Sequence, residues 1–242
     1  MQELIRGTLK LGLPLTPEQL AQFELYYRQI VEWNAKFNLT SITEYEAVQT
    51  RHFLDSLTLI LAWQTPPNTL LDVGSGAGLP GLPLKIAFPM IEVTLLEATG
   101  KKANFIEYAA GELGLSGVKV VHDRAEQAAK KLDYRERFEV VTARAVASLA
   151  ALAELTLPFC RVGGCAILPK KGDIEDEIKD AAYAVKVMGG KLRPPVKIDL
   201  EELGETRYLI IADKVRPTPR WYPRRSGIPR KQPMMQGQPT VR

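Results

Sequence analysis

LLDVGSGAGLPG, Leu70 to Gly81, runs an apolar strand into an acid and then sets glycine at every second position. That spacing strips side chains from a loop so that something can approach the backbone, and Gly74, Gly76 and Gly78 permit positive φ and a tight turn. Leu79 to Ala87 reads as the helix that follows, with Pro80 or Pro83 in its first turn, where an amide hydrogen has no intrahelical partner. Strand, glycine loop and helix N-terminus together predict a binding site at the carboxyl edge of a parallel sheet.

Two ligands compete for the loop. Gly76, Gly78 and Gly81 satisfy G-x-G-x-x-G, and Glu97 ends the next apolar run, Val93 to Leu96, as a dinucleotide site requires. Asp72 tips the balance. A carboxylate at the end of the first strand opposes a pyrophosphate but suits a ligand carrying an amine and a sulfonium, S-adenosylmethionine. Glu97 then accepts hydrogen bonds from the ribose hydroxyls, a task common to both cofactors. The bland alternative is a glycine-rich turn that holds no ligand.

The chain has 242 residues, 45% of them hydrophobic, enough for one large domain with or without an appendage. No basic segment followed by an apolar one opens it and no apolar run is long enough to span a bilayer, so a cytoplasmic protein is expected. Cys160 and Cys165 flank Gly163-Gly164, read as a turn; their spacing fits neither a metal site nor a disulfide framework, and no metal is expected. The net charge of +4 hides an asymmetry: from Lys214 onward there are eight Lys and Arg and no acid, so the preceding 213 residues carry a net −4.

Thr16-Pro17-Glu18-Gln19 is a capping box, followed at helical spacing by Leu20, Phe23, Tyr27, Ile30, Val31 and Phe37. A second box, Thr43 to Glu46, opens a helical segment to about Trp63, stopped by Pro66-Pro67. Residues 1–65 are therefore expected to form a helical cap. From Thr69 onward strand-length runs (Thr69 to Val73, Val93 to Leu96, Val118 to Val121, Phe138 to Thr142, Cys165 to Leu168) alternate with helices (Lys101 to Leu113, Ala125 to Lys131, Leu149 to Phe159, Ile174 to Met188). That rhythm means βαβ units and a parallel sheet. Val196 to Leu200 with Arg207 to Lys214 fits a closing antiparallel hairpin, giving an α/β domain over 66–215. The Pro- and Arg-rich stretch 216–242 lacks periodicity and is expected to form a tail with no core of its own.

The strings NLTSI (38–42), RHFLDSL (51–57), DVGSGAGLPGLPL (72–84), LLEATGKKANF (95–105), TARAVASL (142–149), KKG (170–172) and ETRYLII (205–211) resemble, in order, the RsmG/GidB family. The resemblance implies a class I, Rossmann-like methyltransferase with a mostly parallel seven-stranded sheet. It implies methyl transfer from S-adenosylmethionine to N7 of a guanine in 16S ribosomal RNA, met in a small-subunit particle or assembly intermediate by a monomer. Carried over by position, it places the cofactor against Gly74 and Leu79, then Glu97, Ala98 and Thr99, then Ala125 and Glu126, and finally Arg144.

Each position also has a physical reading. The small Ala125 leaves room for an adenine ring at its backbone amide, whereas Glu126 is equally a first-turn acid favoured by the helix dipole. TARA stands where many amino-group methyltransferases carry a proline-aromatic motif, so amine-gripping chemistry is absent. The planar fork of Arg144 is free either to position cofactor or RNA, or to pair with Asp72 or Glu97 and organise the loop. Guanine N7 has an in-plane lone pair and no proton, so no general base is needed. His52 and Asp55, with Arg51 and Asp55 at i,i+4, accordingly read as a polar network locking the cap rather than an acid–base pair.

RNA contacts are expected from Lys170 and Lys171 past the fifth strand, from Arg207 and Lys101, and from the tail's Arg220, Arg224, Arg225, Arg230 and Lys231, with Trp221 and Tyr222 as stacking surfaces. Arg207 equally suits a strand-end ion pair. Three rivals stand beside this reading: a methyltransferase for a small molecule or protein, a non-catalytic assembly factor that keeps a cofactor pocket, and a dinucleotide oxidoreductase.

Overall fold

A computed structural model, describing residues 1–144 and 147–237, resolves this chain into an α/β sheet with helices on both faces. Two residues of TARAVASL and the last five of the expected tail lie outside the described residues. Strands β1 (Thr69–Val73), β2 (Glu92–Glu97), β3 (Val118–His122), β4 (Phe138–Thr142) and β5 (Cys160–Lys171) pair in parallel in the order β3-β2-β1-β4-β5. β6 (Gly190–Leu192), β7 (Val196–Ile198) and β8 (Arg207–Lys214) complete the sheet, with β8 antiparallel to β5. The order reverses at β1/β4, the switch point where ligands settle outside the carboxyl ends of the strands.

The seventh position is divided. β6 and β7 both pair with the outer edge of β8, β6 along Ala212 to Lys214 and β7 along Arg207 to Leu209. Between them stands Pro194-Pro195, and proline has no amide hydrogen to give a ladder, so a single edge strand cannot run through. Gly163-Gly164 is not a turn either. The pair lies inside β5, where the register with β4 slips between Phe138 and Val140, and a Cβ on Gly164 would meet the Glu139 carbonyl oxygen at 2.5 Å.

Period-two alternation sends successive strand residues to opposite cores. Leu70, Val93, Leu95, Val140, Ile167, Leu209 and Ile211 join α5 (Gly81–Ala87), α6 (Gly100–Glu112) and the N-terminal helices. Leu71, Leu96, Val141, Ala166, Leu168, Ile210 and Ala212 join α8 (Leu149–Thr156) and α9 (Glu175–Val187). α8 is buried at all eight of its positions, being covered by sheet, α9 and the C-terminal segment. Between β3 and β4 lies the single turn α7 (Ala125–Ala128), and α10 (Ile228–Lys231) falls in the C-terminal segment.

The cap begins with α1 (Gln2–Lys10), which sequence patterning did not show, and α2 (Pro17–Asn34), whose Thr16/Gln19 capping box makes both reciprocal bonds. Gln19 also donates through its amide to the carbonyls of Ile86 and Ala87, satisfying the end of α5, and the Tyr26 hydroxyl donates to the Ala77 carbonyl. The next helical run, residues 45–62, is capped by Glu44 rather than Thr43, the Glu44 carboxylate accepting from the amides of Glu46 and Ala47. It is α-helical at α3 (Tyr45–Val48), π-helical over Gln49–Leu54, α-helical again at α4 (Asp55–Leu57) and 3-10 over Thr58–Ala62.

The C-terminal segment, expected as a tail with no core of its own, is packed against the domain. Thr218, Tyr222, Arg224 and Met234 are buried, and the Arg135 guanidinium donates to the carbonyls of Thr218, Pro219 and Tyr222 at 2.9 to 3.1 Å. It needs no core of its own, because it seals α8. Among the described residues no helix is long and apolar enough to cross a membrane, and no group of His, Cys, Asp and Glu could hold a metal ion.

Candidate active site

The loop after β1 has two sides. Gly74, Gly76 and Gly78 sit at φ +74°, +60° and +84°, so each position disfavours a side chain. A Cβ on Gly74 meets nothing and one on Gly76 only the Gly74 carbonyl oxygen at 4.0 Å, whereas one on Gly78 would strike Leu82 at 2.6 Å. Gly74 and Gly76 therefore present bare backbone to open space. Gly78, expected among the cofactor contacts, is also required by packing against Leu82 and the Tyr26 hydroxyl, and Leu79 buries its side chain in the core so that only its backbone is left near the loop.

Glu97, at the end of β2, braces the loop from beside it. Its Oε2 accepts from the Gly76 amide at 2.9 Å and its Oε1 from the Thr99 amide at 2.8 Å. A carboxylate has about four acceptor sites, so capacity remains for a ribose diol. Ala98 and Thr99 are exposed at the same rim, Thr99 as the N-cap of α6.

Asp72 is completely buried beneath the loop, so it makes no direct ligand contact in this conformation. Its Oδ2 accepts from the Gly81 amide at 3.0 Å, while Oδ1 has no hydrogen-bond partner. Burial pushes its carboxyl up to about 7, against the lowering effects of the Gly81 amide and of Arg144. A cation above the loop would offset that burial. The open glycine backbone, the braced Glu97 and the orphaned Asp72 oxygen thus fit a ligand with a ribose and a positive charge, as S-adenosylmethionine has. On the far side of the loop a cavity is lined by Val73, Gly74, Ala98, Asp123, Ala125 and Glu126, together with Gly227 and Arg230 from the C-terminal segment.

A larger cavity of about 740 Å³ opens beyond β4 and β5. Thr142 pairs in register with Asp72, so Arg144, two residues on, leaves the sheet beside the glycine loop. Its guanidinium donates to Asp55 Oδ2 at 3.0 Å and to the carbonyls of Arg51 and His52, and pairs with neither Asp72 nor Glu97. Arg207 Nε lies 3.3 Å from Asp55 Oδ1, making one carboxylate the hub for two arginines. Asp55 does not pair with Arg51 as α-helical spacing predicts, because residues 49–54 are wound as a π-helix and the i,i+4 phase is lost.

His52 Nε2 meets the Thr40 hydroxyl at 2.8 Å and Nδ1 faces the Arg51 carbonyl. Burial, then the nearby Arg144 charge, lowers its pKa to about 4, so the imidazole is neutral at pH 7. The network reading of His52 and Asp55 is the one the geometry supports.

The expected RNA contacts divide. Lys170, Lys171 and Arg207 line the 740 Å³ cavity, and so does Arg144, which was expected at the cofactor. Lys170 is committed internally to Glu177 and the Ala147 carbonyl at 2.6 and 2.7 Å, while Lys171 is exposed beside Glu205. Lys101 is exposed with its ammonium over the Phe37 ring. Arg224 corrects the expectation outright: it is buried and forked onto the fully buried Glu154, where it cannot reach RNA. Tyr222 is buried too, whereas Trp221, Arg220, Arg225 and Lys231 are exposed. Glu126 is also spoken for, its Oε1 accepting from the Gly227 amide at 2.7 Å.

Sequence patterning placed Arg51 only in the cap network and missed Glu177 and Glu205 in the large cavity and Gly227 at the smaller one. Arg51 and Glu205 do lie inside the strings RHFLDSL and ETRYLII, which was the available signal; Glu177 and Gly227 carried none.

Known proteins share this fold. A putative O-methyltransferase from Klebsiella pneumoniae superposes with a TM-score of 0.56 at 15% identity, covering 88% of this chain and 96% of that one. A SAM dependent methyltransferase from Aquifex aeolicus superposes at 0.53 and 14%, covering 76% and 98%. At such identities the likeness shows the fold, that of class I S-adenosylmethionine-dependent methyltransferases. Proteins named ribosomal RNA small subunit methyltransferase G from Dehalococcoides mccartyi (strain CBDB1) and Lachnoclostridium phytofermentans are 54% and 47% identical, over 97% and 96% of this chain and 100% and 96% of theirs. The profile of one family, rRNA small subunit methyltransferase G (GidB), matches residues 19–198, from within α2 through the glycine loop to the end of β7. With that match and those identities, the chain belongs to the rRNA small subunit methyltransferase G family.

Proposed function

We propose that the protein transfers a methyl group from S-adenosylmethionine to N7 of a guanine in 16S ribosomal RNA. The observation that carries the substrate side is the 740 Å³ cavity beside the glycine loop, where Arg51, Arg144, Lys170, Lys171 and Arg207 outnumber Asp55, Glu177 and Glu205. Such a cavity suits a base presented on a phosphate backbone.

When bound, the cofactor supplies an electrophilic methyl carbon on a sulfonium. The residues of this chain hold and aim. Gly74 and Gly76 give close backbone approach, Glu97 stands ready for the ribose, and Arg144, held by Asp55, shapes the wall of the substrate cavity. N7 attacks with its own lone pair and no proton leaves, which fits a neutral, buried His52 that is already hydrogen-bonded at both ring nitrogens. Positive charge moves from sulfur to the purine without being created, so orientation supplies most of the acceleration. On this reading a single copy of the chain acts in the cytoplasm on a small-subunit particle or an intermediate in its assembly.

The test is incubation with methyl-labelled S-adenosylmethionine and either small- or large-subunit RNA and particles. Label entering the small-subunit RNA is expected; label entering neither, with cofactor still bound, would favour a non-catalytic role.

A further inference from the structure

The C-terminal segment does more than seal α8. Arg224 forks onto Glu154, donates through its backbone amide to the same carboxylate at 2.7 Å and reaches the Gln232 carbonyl at 2.8 Å. Tyr222 and Met234 are buried on either side of that anchor. Between the anchors the chain turns a corner at Gly227, φ +84°, whose amide donates to Glu126 Oε1, while Ser226 meets the Gln127 amide group at 3.4 Å. The corner delivers Gly227 and Arg230 to the cavity that Gly74, Ala98 and Ala125 line from the other side.

The geometry points to the Gly227–Arg230 corner as the outer wall of the cofactor site at the adenine end. The C-terminal segment thus sets affinity for S-adenosylmethionine instead of serving only as a basic arm for RNA. This rests on reading the glycine loop as the S-adenosylmethionine site. Given that, a ligand lying across Gly74 and Ala125 meets the corner as it fills the cavity, and Arg230 brings a guanidinium to the rim, where it can lie over a purine face. Binding and ordering of the corner are then linked: each strengthens the other.

The linkage has a direct test in the intact chain. Trypsin can cut after the exposed Arg225, Arg230 and Lys231, and after the exposed Lys36 on the cap. Saturating S-adenosylhomocysteine or adenosine should slow the three C-terminal cuts at least tenfold, methionine should not, and the Lys36 cut should keep its rate. In calorimetric titration with S-adenosylmethionine, Gly227→Val should weaken binding about tenfold or more, because a branched residue strains a left-handed corner although an added Cβ there meets no atom. Arg230→Ala, which alters only an exposed side chain, should weaken it several-fold at unchanged thermal midpoint. Wild-type affinity in Arg230→Ala with no ligand protection of the C-terminal sites overturns the inference while leaving the loop as the site. Absence of cofactor binding to the wild-type chain overturns both.

Discussion

The Arg144 guanidinium and the Asp55 carboxylate, 89 residues apart, meet at 3.0 Å in a pair that is largely buried on both sides. Asp55 stands on the cap, Arg144 at the end of β4 and Arg207 at the start of β8, so this carboxylate ties three elements around the substrate cavity. Removing one partner of a buried pair is costly because it strands the other charge, and here the acid has two partners. Asp55→Ala should lower stability by about 3–5 kcal/mol, more than Arg207→Ala, in urea unfolding. The reverse order would contradict its role as hub.

Arg144→Lys should lose both stability and turnover. An ammonium cannot span the Asp55 oxygen and the carbonyls of Arg51 and His52 with the spread of a planar fork. A fall in kcat of about a hundredfold, or roughly 3 kcal/mol of barrier, is expected from folded enzyme at saturating substrate. Wild-type kcat in a protein that merely melts early would reduce the arginine to a strut.

The two sides of the glycine loop should separate by mutation. Gly76→Arg puts a cation into the open face and should abolish S-adenosylmethionine binding with a modest change in thermal midpoint. Gly78→Ala pushes into Leu82 beside the Tyr26 hydroxyl and should lower the midpoint clearly. Calorimetric titration and thermal unfolding of both variants are the measurements; unaltered cofactor affinity in Gly76→Arg would mean that the loop is not the site.

Strand and helix periodicity was enough to place β1 and β4 at their observed bounds, because TLLDV and FEVVT are apolar runs of strand length. What sequence could not show were facts of tertiary contact. Pro194-Pro195 reads as a break in rhythm, yet whether it ends the sheet or splits its edge depends on β8 continuing alongside. Arg224 reads as one more tail cation, since nothing local reveals that Glu154, 70 residues earlier and in the middle of an apolar helix, faces it. A lone acid among eight buried positions of α8 was the legible half of that pair. The loop itself was legible for the opposite reason: its glycines answer to local backbone geometry.

Glu154→Gln should destabilise the protein by about 3–5 kcal/mol, because the Arg224 guanidinium is left buried without a counter-charge. Chemical unfolding monitored at the tryptophans would register it, and a loss below about 0.5 kcal/mol would mean that the pair behaves as a surface contact.

Two buried groups give opposite pH dependences. His52 is held near 4, below its ordinary 6.5, so its contribution is full above pH 6.5 and is lost as pH falls toward 4. Asp72 is held near 7, above its ordinary 3.8, so its contribution is full below pH 3.8 and is lost as pH rises toward 7. Between about pH 4 and 6.5 the slopes oppose, and wild-type stability should be nearly flat on their account. Asp72→Asn should unmask a stability that rises with pH by up to about 1.4 kcal/mol per unit, and His52→Gln one that falls. Urea unfolding at three pH values between 4.5 and 6.5 checks the signs.

The most direct test of the central claim exploits the product itself. Methylation at N7 makes guanine labile to borohydride reduction, after which aniline cleaves the RNA strand at that nucleotide. Small-subunit RNA or particles lacking the modification should acquire one new cleavage site after incubation with the protein and S-adenosylmethionine, and none with Gly76→Arg. Methyl label entering the RNA without any borohydride-dependent cleavage would place the methyl group on another atom and contradict the account.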